Sequence, residues 1–187
     1  MPVGKGLDET EIVRRLKVAE VAAKEAGQIL LGHLGRLASY DEKSSINLVT
    51  VADRESEAFL AARIRSAFPD DPLILEETDG LEAARARFGE DAAHPFSWCI
   101  DPLDGTTNFV HAFPMFAVSI GLLAYGVPVL GVVHAPALSE TFVGGAGVPA
   151  RLNHRPIAVS SVNVLSKALL ATGFPYDRRE RVDLLLR

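Results

Sequence analysis

The sequence contains a single cysteine, Cys99, among 187 residues. An internal disulfide and a cysteine-rich zinc site are therefore excluded. Cys99 lies in the apolar run 96–100, which predicts a buried core thiol rather than a nucleophile. No stripe of Lys or Arg occurs and the net charge is -5, so we expect no nucleic-acid-binding surface. An acidic protein that handles an anionic substrate would need a cation between the two.

Charged residues are missing from residues 105–139, and residues 115–133 are almost entirely apolar. A run of that length could cross a bilayer, but glycines and a proline interrupt it and Tyr125-Gly126 is typical of a turn. We therefore predict a buried hairpin with strands 116–124 and 127–134, and no membrane contact. The first residues, MPVGKGLDETEIVRR, become charged at once and predict no signal peptide, so the expected location is cytoplasmic.

The order of apolar patterns predicts an α+β fold. Apolar residues make up 48% of the sequence, which is enough for a sizeable core. Helical spacing predicts two N-terminal helices, over residues 9–34 and 53–68. Short β-rich runs predict strands at 48–51, 73–75, 97–100, 140–143, 150–152, 156–159 and 168–172. Two helices followed by hairpin-linked strands predict a helix pair packed on a mainly antiparallel sheet.

Acidic side chains follow two of the predicted strands. Glu76 and Glu77 come directly after strand 73–75, and Asp101 follows strand 97–100. Carboxylates clustered at the ends of buried strands are unfavourable unless a cation offsets their charge. Magnesium binds such oxygen ligands together with substrate phosphate. For the Asp-x-x-Asp pair alone, an ordinary surface turn before a helix cap stays an alternative.

The residues after Asp101 predict an anion site beside these carboxylates. Pro102 fixes the backbone so that Asp104 returns toward Asp101, and Gly105 allows a close backbone approach. Thr106 or Thr107 suits the start of a helix, whose free N–H groups can hold an anion. A metal site joined to an anion site is what phosphate-ester chemistry requires.

The segment WCIDPLDGTTNF at residues 98–109 resembles the W-I-D-P-L-D-G-T-T-N-F signature of the inositol monophosphatase family, which belongs to a superfamily of magnesium-dependent, lithium-sensitive phosphatases. LEET at 75–78 is similar to that family's G-E-E-S element, with Leu75 in place of the usual glycine. Residues 43–53 resemble its K-…-D-x-V-T-x-x-D stretch, with Asn47 where aspartate is common. The glycine hairpin before Asn153 and residues 171–176 also fit.

The resemblance implies a layered α+β fold of the sugar-phosphatase type and a magnesium site with two or three ions in its complete form. Glu76, Asp101 and the backbone carbonyl of Leu103 would hold the first, catalytic ion. Asp101 would also bridge to a second ion that Asp104 helps to hold.

The resemblance also implies catalytic and substrate-binding residues. Glu76 and Thr106 would orient and deprotonate the attacking water, with Asp53 supporting them, and Lys43 lies on a loop that in this family closes over the site. The substrate would lie along Leu103, Asp104, Gly105 and Thr106, with the N–H groups of the last two holding its phosphate.

The activity that the resemblance implies is hydrolysis of a small phosphate monoester, with inositol 1-phosphate as the family default. Fructose 1,6-bisphosphate and other sugar or nucleotide phosphates stay alternatives. The sequence lacks the family's W-D-x-A-A-G element, whose aspartate completes the second metal site. A truncated, catalytically weak or inactive remnant that binds metal or a partner is therefore the second interpretation. We assign residues 1–155 to a metal- and phosphate-binding domain and 156–187 to the start of a truncated C-terminal α/β domain, with a homodimer possible.

Overall fold

Two helices begin the fold of this computed structural model, which describes residues 8–36, 41–42, 48–80 and 94–171. Helix α1 spans Glu9–His33, and the Asp8 carboxylate caps it by accepting the N–H of Thr10 at 2.8 Å. Helix α2 spans Val51–Ala67 and has Thr50 as its N-cap. Both helices are where the sequence predicts them, although α2 begins two residues early.

The early start of α2 has a clear local cause. The Thr50 hydroxyl accepts the N–H groups of Ala52 and Asp53, and the Asp53 carboxylate accepts the Thr50 N–H at 2.8 Å. This reciprocal capping box satisfies helix N–H groups that would otherwise have no partner. It also starts the helix at Val51, which the β-branched run had assigned to a strand.

The strands form two sheets. Strands β1 (Asp41–Glu42) and β2 (Leu48–Val49) form an antiparallel pair. A seven-stranded sheet has the order β3-β4-β5-β6-β7-β8-β9. Its strands are β3 (Leu73–Leu75), β4 (Ser97–Asp104), β5 (Ala117–Ala124), β6 (Val127–Ala135), β7 (Glu140–Gly145), β8 (Val148–Leu152) and β9 (Arg155–Pro156). Only β3 and β4 are parallel among these pairs, so the predicted α+β fold with a mainly antiparallel sheet is confirmed.

The predicted hairpin of β5 and β6 is confirmed, and its turn is Tyr125-Gly126, both with positive φ. No helix in the part of the chain that the structure describes is long and apolar enough to cross a bilayer. The predicted strand at 168–172 is wrong over residues 168–171, which pair with no described strand. Leu169 is fully exposed there, because β propensity without a neighbouring strand does not make a sheet. The domain boundary assigned between residues 155 and 156 falls within β9 and stays a prediction.

One face of the large sheet carries the two helices. Four alanines of α1 are buried, and their small side chains let the helix lie close to the sheet. At Gly27 a Cβ would lie 2.6 Å from the ring of His134 on β6, so only glycine fits there without a shift of the ring. His134 is itself buried and bonds Thr141 and the carbonyl of Glu140 through Nδ1.

A buried arginine ties α1 to the start of the parallel strand pair. The Arg15 guanidinium lies between the rings of Phe68 and Phe96, 4.4 and 3.9 Å from their centroids. It bonds both oxygens of Asp71 at 2.9 and 3.0 Å, and Trp98 Nε1 donates to the same carboxylate at 2.9 Å. Because these partners precede β3 or begin β4, the network holds together the segments where the two strands start.

Candidate active site

The site lies at the carboxyl ends of β3 and β4. These strands are parallel, with Leu75 opposite Ile100, so the residue that follows each one emerges at the same sheet edge. Those residues are Glu76 and Asp101, and their carboxyl groups are close enough to interact electrostatically. The two acids that follow the predicted strands therefore lie together, and residues 76–80 continue from β3 as a helical turn.

Strand β4 does not end at Ile100 as predicted but continues to Asp104 through an irregularity after Asp101. Within it, the N–H of Leu103 donates to Asp101 Oδ1 at 3.1 Å. The carbonyl of Pro102 accepts the hydroxyl of Ser56 on α2 at 2.9 Å. A proline is tolerated here because the ladder is already interrupted. The irregularity leaves Asp104 opposite Ala117 with an exposed side chain.

Gly105 begins a short helix, α3 (Thr106–Val110), in a left-handed conformation with φ +89°. A Cβ at this position would lie 2.9 Å from the carbonyl oxygen of Met115, so both backbone conformation and space favour glycine. Buried Phe109 anchors α3 by packing edge-on against Phe116, with ring centroids 4.9 Å apart. The first N–H groups of α3 have no acceptor within the helix.

The Thr106 hydroxyl connects α3 to α2. Its oxygen lies 3.2 Å from Asp53 Oδ1 and 3.1 Å from the carbonyl oxygen of Leu103. A hydroxyl has one hydrogen, so it donates to one of these acceptors at a time. Burial raises the pKa of Asp53, although hydrogen bonds from Thr50 and Thr106 oppose the rise.

The carboxylates repel one another strongly. Burial, and next the charge and hydrogen bond of Glu76, raise the pKa of Asp101 to about 8, with a further contribution from Asp104. Without a cation, Asp101 therefore keeps its proton at neutral pH. A hard cation would replace that proton, and the nearby donors are all oxygen atoms, as magnesium prefers. Among the residues that the structure describes, no group of three or more His, Cys, Asp or Glu side chains is gathered as a metal cluster, so these donors form a partial site.

Cys99 is half-buried on β4, less buried than expected. Burial, then the charges of Asp101 and Glu76, raise the pKa of its thiol, which disfavours the nucleophilic thiolate as the sequence had indicated. Lys43 lies outside the described residues, and its predicted role stays a prediction.

Sequence reasoning missed two buried polar residues of α2, Ser56 and Glu57. The Glu57 carboxylate accepts the N–H groups of Glu77 and Thr78 at 2.7 and 3.4 Å. The available signal was their helical spacing of three and four residues from Asp53, which puts all three on one face.

An open pocket of about 430 Å³ adjoins the site. Asp104, Gly105 and Asn108 contribute to its lining, and the remaining residues are mostly apolar and lie within 115–117 and 133–142. Asp101 and Glu76 do not line it, so the pocket lies beside the carboxylate pair rather than around it.

Sequence and structural relatives agree on the family. The chain is 41% identical over 169 residues to an inositol-1-monophosphatase of Synechocystis sp., covering 90% of this chain and 56% of that protein. It is 40% identical to the Nus factor SuhB of Pseudomonas aeruginosa, covering 91% of this chain and 61% of SuhB. The solved inositol monophosphatase of Anabaena (Nostoc) sp. superposes with a TM-score of 0.73 at 43% identity, covering 91% and 58% of the two chains.

The chain thus spans little more than half the length of these relatives. Their names differ although their identities to this chain are similar, so the names alone assign no substrate to it. The sequence model of the inositol monophosphatase family nevertheless matches residues 12–184 of this chain, which include every predicted site residue. On this match and the shared fold, the chain belongs to the inositol monophosphatase family.

Proposed function

We propose that this chain carries the metal- and phosphate-binding half of a magnesium-dependent phosphomonoester hydrolase. The observation that carries the proposal is that Asp101 and Glu76 lie together at the ends of two parallel strands. The strongly raised pKa of Asp101 indicates a site whose charge a cation would balance. Helix α3, which follows Gly105 and can approach a phosphate, lies directly beside this site.

The residues that would hold magnesium are Glu76, Asp101, Asp104 and the carbonyl of Leu103. A bound ion would lower the pKa of the attacking water and offset negative charge on the phosphate. Lys43, which lies outside the described residues, keeps its predicted catalytic role.

Thr106 and Asp53 form a short proton path in this proposal. When the Thr106 hydroxyl donates to Asp53, its oxygen can accept a hydrogen bond from water and so orient it. The raised pKa of Asp53 suits it to stabilise the hydroxyl and to take up a proton. Glu76 would accept a proton from the same water.

The phosphate would lie against Gly105 and Thr106, held by backbone N–H groups at the start of α3. The organic part of the substrate would then enter the pocket beside Asp104. Inositol 1-phosphate is the proposed substrate, supported by the name of the Synechocystis relative. Fructose 1,6-bisphosphate and other sugar or nucleotide phosphates are the alternatives, and cytoplasmic location and homodimer formation stay predictions.

The experiment measures both binding and turnover of the 187-residue chain. Titration calorimetry with Mn²⁺ or Mg²⁺ tests the metal site, and phosphate release from inositol 1-phosphate and fructose 1,6-bisphosphate tests the reaction. Asp101→Asn should abolish tight metal binding, because it replaces the carboxylate that the proposed ions share. Wild-type affinity in that variant would overturn the proposed metal site.

A second candidate is a chain that binds metal but turns over slowly. Within the residues that the structure describes, no three metal-ligating side chains are gathered together, and this favours the second candidate. Metal binding without phosphate release would select this candidate. Phosphate release at rates typical of enzymes, about 1 s⁻¹ or faster, would select the first.

A further inference from the structure

Helix α2 presents three polar side chains on a buried face. Asp53, Ser56 and Glu57 have 0, 0 and 5% of their surface exposed. Burying such groups costs free energy unless each is hydrogen-bonded, so their partners explain why they are tolerated. Asp53 also bonds Thr50 at the N-cap, and each of the three residues has a partner on a segment that carries a candidate site residue.

The three contacts reach three different parts of the site. Asp53 accepts the hydroxyl of Thr106 at the start of α3. Ser56 donates to the carbonyl of Pro102, between the two aspartates of β4. The third contact runs from Glu57 to the turn that begins at Glu76. One face of α2 therefore fixes the relative position of segments that are far apart in sequence.

Glu57 makes the most specific of these contacts. Its Oε2 accepts the N–H groups of Glu77 and Thr78, and its Oε1 accepts the Thr78 hydroxyl. On the other side of Glu76, the N–H of Leu75 donates to the Asp79 carboxylate at 2.9 Å. Hydrogen bonds to the backbone of the residues on both sides thus hold Glu76 in place, and its own carboxyl group interacts with Asp101.

We propose that Glu57 is a positioning residue that sets the orientation of Glu76 for cation binding, an inference that rests on the proposed function. Glu57 acts through the backbone of residues 77 and 78 and not by contact with substrate. Charge-assisted hydrogen bonds from a carboxylate to backbone N–H groups are short and directional, so they fix the peptide more tightly than neutral ones.

Glu57→Gln is the test substitution because it preserves size while removing one acceptor oxygen. The glutamine oxygen can accept the Glu77 N–H, but its amide NH₂ group would then face the Thr78 hydroxyl, which can no longer donate there. We expect the Kd for Mn²⁺ to rise about 10-fold, as for other residues that orient metal ligands. Turnover should need more Mg²⁺ for half-maximal rate and recover toward the wild-type kcat at saturating Mg²⁺.

Two control variants separate positioning from loss of stability. Glu55→Gln makes the same change two residues earlier, on an exposed side chain that contacts His33. Asp71→Asn disturbs the buried Arg15 network away from the site. Both should bind Mn²⁺ as the wild type does, even though Asp71→Asn should lower the unfolding temperature measured in EDTA.

The Mn²⁺ affinities of these variants test whether Glu57 positions Glu76. A folded Glu57→Gln variant with the wild-type Kd for Mn²⁺ overturns it while leaving the proposed function intact, and so does an equal loss of affinity in Asp71→Asn. If Glu57→Gln does not fold, Thr78→Val replaces it, because it removes one bond to the same carboxylate. Thr78→Val should weaken Mn²⁺ binding in the same direction, and unchanged binding contradicts the inference. A wild-type chain that binds no Mn²⁺ overturns the proposed function and this inference together.

Discussion

Replacing Asp101 with asparagine should stabilise the metal-free chain at high pH, although it removes a proposed metal ligand. The pKa of Asp101 is raised from 3.8 to about 8, so in this range the folded chain keeps a proton that the unfolded chain releases. The unfolded state then binds fewer protons, and the free energy of unfolding falls as the pH rises through this window. The slope from this one group is at most about 1.4 kcal/mol per pH unit.

The asparagine variant lacks this titration but keeps a side-chain oxygen that can accept the Leu103 N–H. Between pH 5.5 and pH 7.5 the wild type should therefore lose up to about 3 kcal/mol relative to the variant, two pH units at that slope. Mn²⁺ should remove this loss in the wild type, because a bound cation replaces the proton on Asp101. It should stabilise the variant much less.

Urea unfolding followed by the fluorescence of Trp98, the single tryptophan, measures both effects. The titrations are run at pH 5.5, 6.5 and 7.5, first in EDTA and then with Mn²⁺. Asp70→Asn is the matched control, since its side chain is exposed and it does not contribute to the raised pKa of Asp101. If wild type and Asp101→Asn lose stability in parallel across this range in EDTA, the reasoning about the proton on Asp101 is refuted.

Three further substitutions test the fold and the site. Gly105→Ala should lower the free energy of unfolding, measured in urea, by at least about 1 kcal/mol more than Gly147→Ala does. Both glycines have positive φ, but of the two only Gly105 lies against a carbonyl oxygen. Arg15→Lys should lower stability by about 2–4 kcal/mol, since an ammonium cannot bond both oxygens of Asp71 and stack between two rings. Thr106→Val should lower kcat at least about 100-fold with little change in Mn²⁺ affinity, because it removes the hydroxyl that would orient the water.

Each of these has a contradicting result. Equal costs for the two glycine substitutions would mean that the Met115 carbonyl moves away freely. An Arg15→Lys variant as stable as the wild type would mean that the buried network adds no net stability. If Thr106→Val weakens Mn²⁺ binding as much as it slows turnover, the hydroxyl supports the Leu103 carbonyl rather than the water.

Much of the site was predictable because its residues follow buried strands. The position of Glu76 after β3 and Asp101 after β4 was enough to expect them together, and the pairing of these strands explains why. The extension of β4 to Asp104 was not predictable, since Pro102 normally ends a central strand and only the contact with Ser56 reveals how it is held. The start of α2 was missed because the β-branched Val51 outweighed the capping pair of Thr50 and Asp53.

Tertiary contacts decided the remaining differences. A glutamate on a helix is usually solvated, and the spacing from Asp53 places Glu57 on the same face without showing that it is buried. The apolar run at residues 168–171 has strand propensity, but propensity does not supply the hydrogen-bonding neighbour that a strand requires.

The parallel pairing of β3 with β4 rests on three residues of each strand. It brings Glu76 and Asp101 together, because each acid follows the paired residues of its own strand. A slip of one residue in this register would displace one carboxylate by about 3.3 Å and turn it to the opposite face of the sheet. A substitution that weakens this three-residue pairing should therefore weaken cation binding even when neither acid is changed.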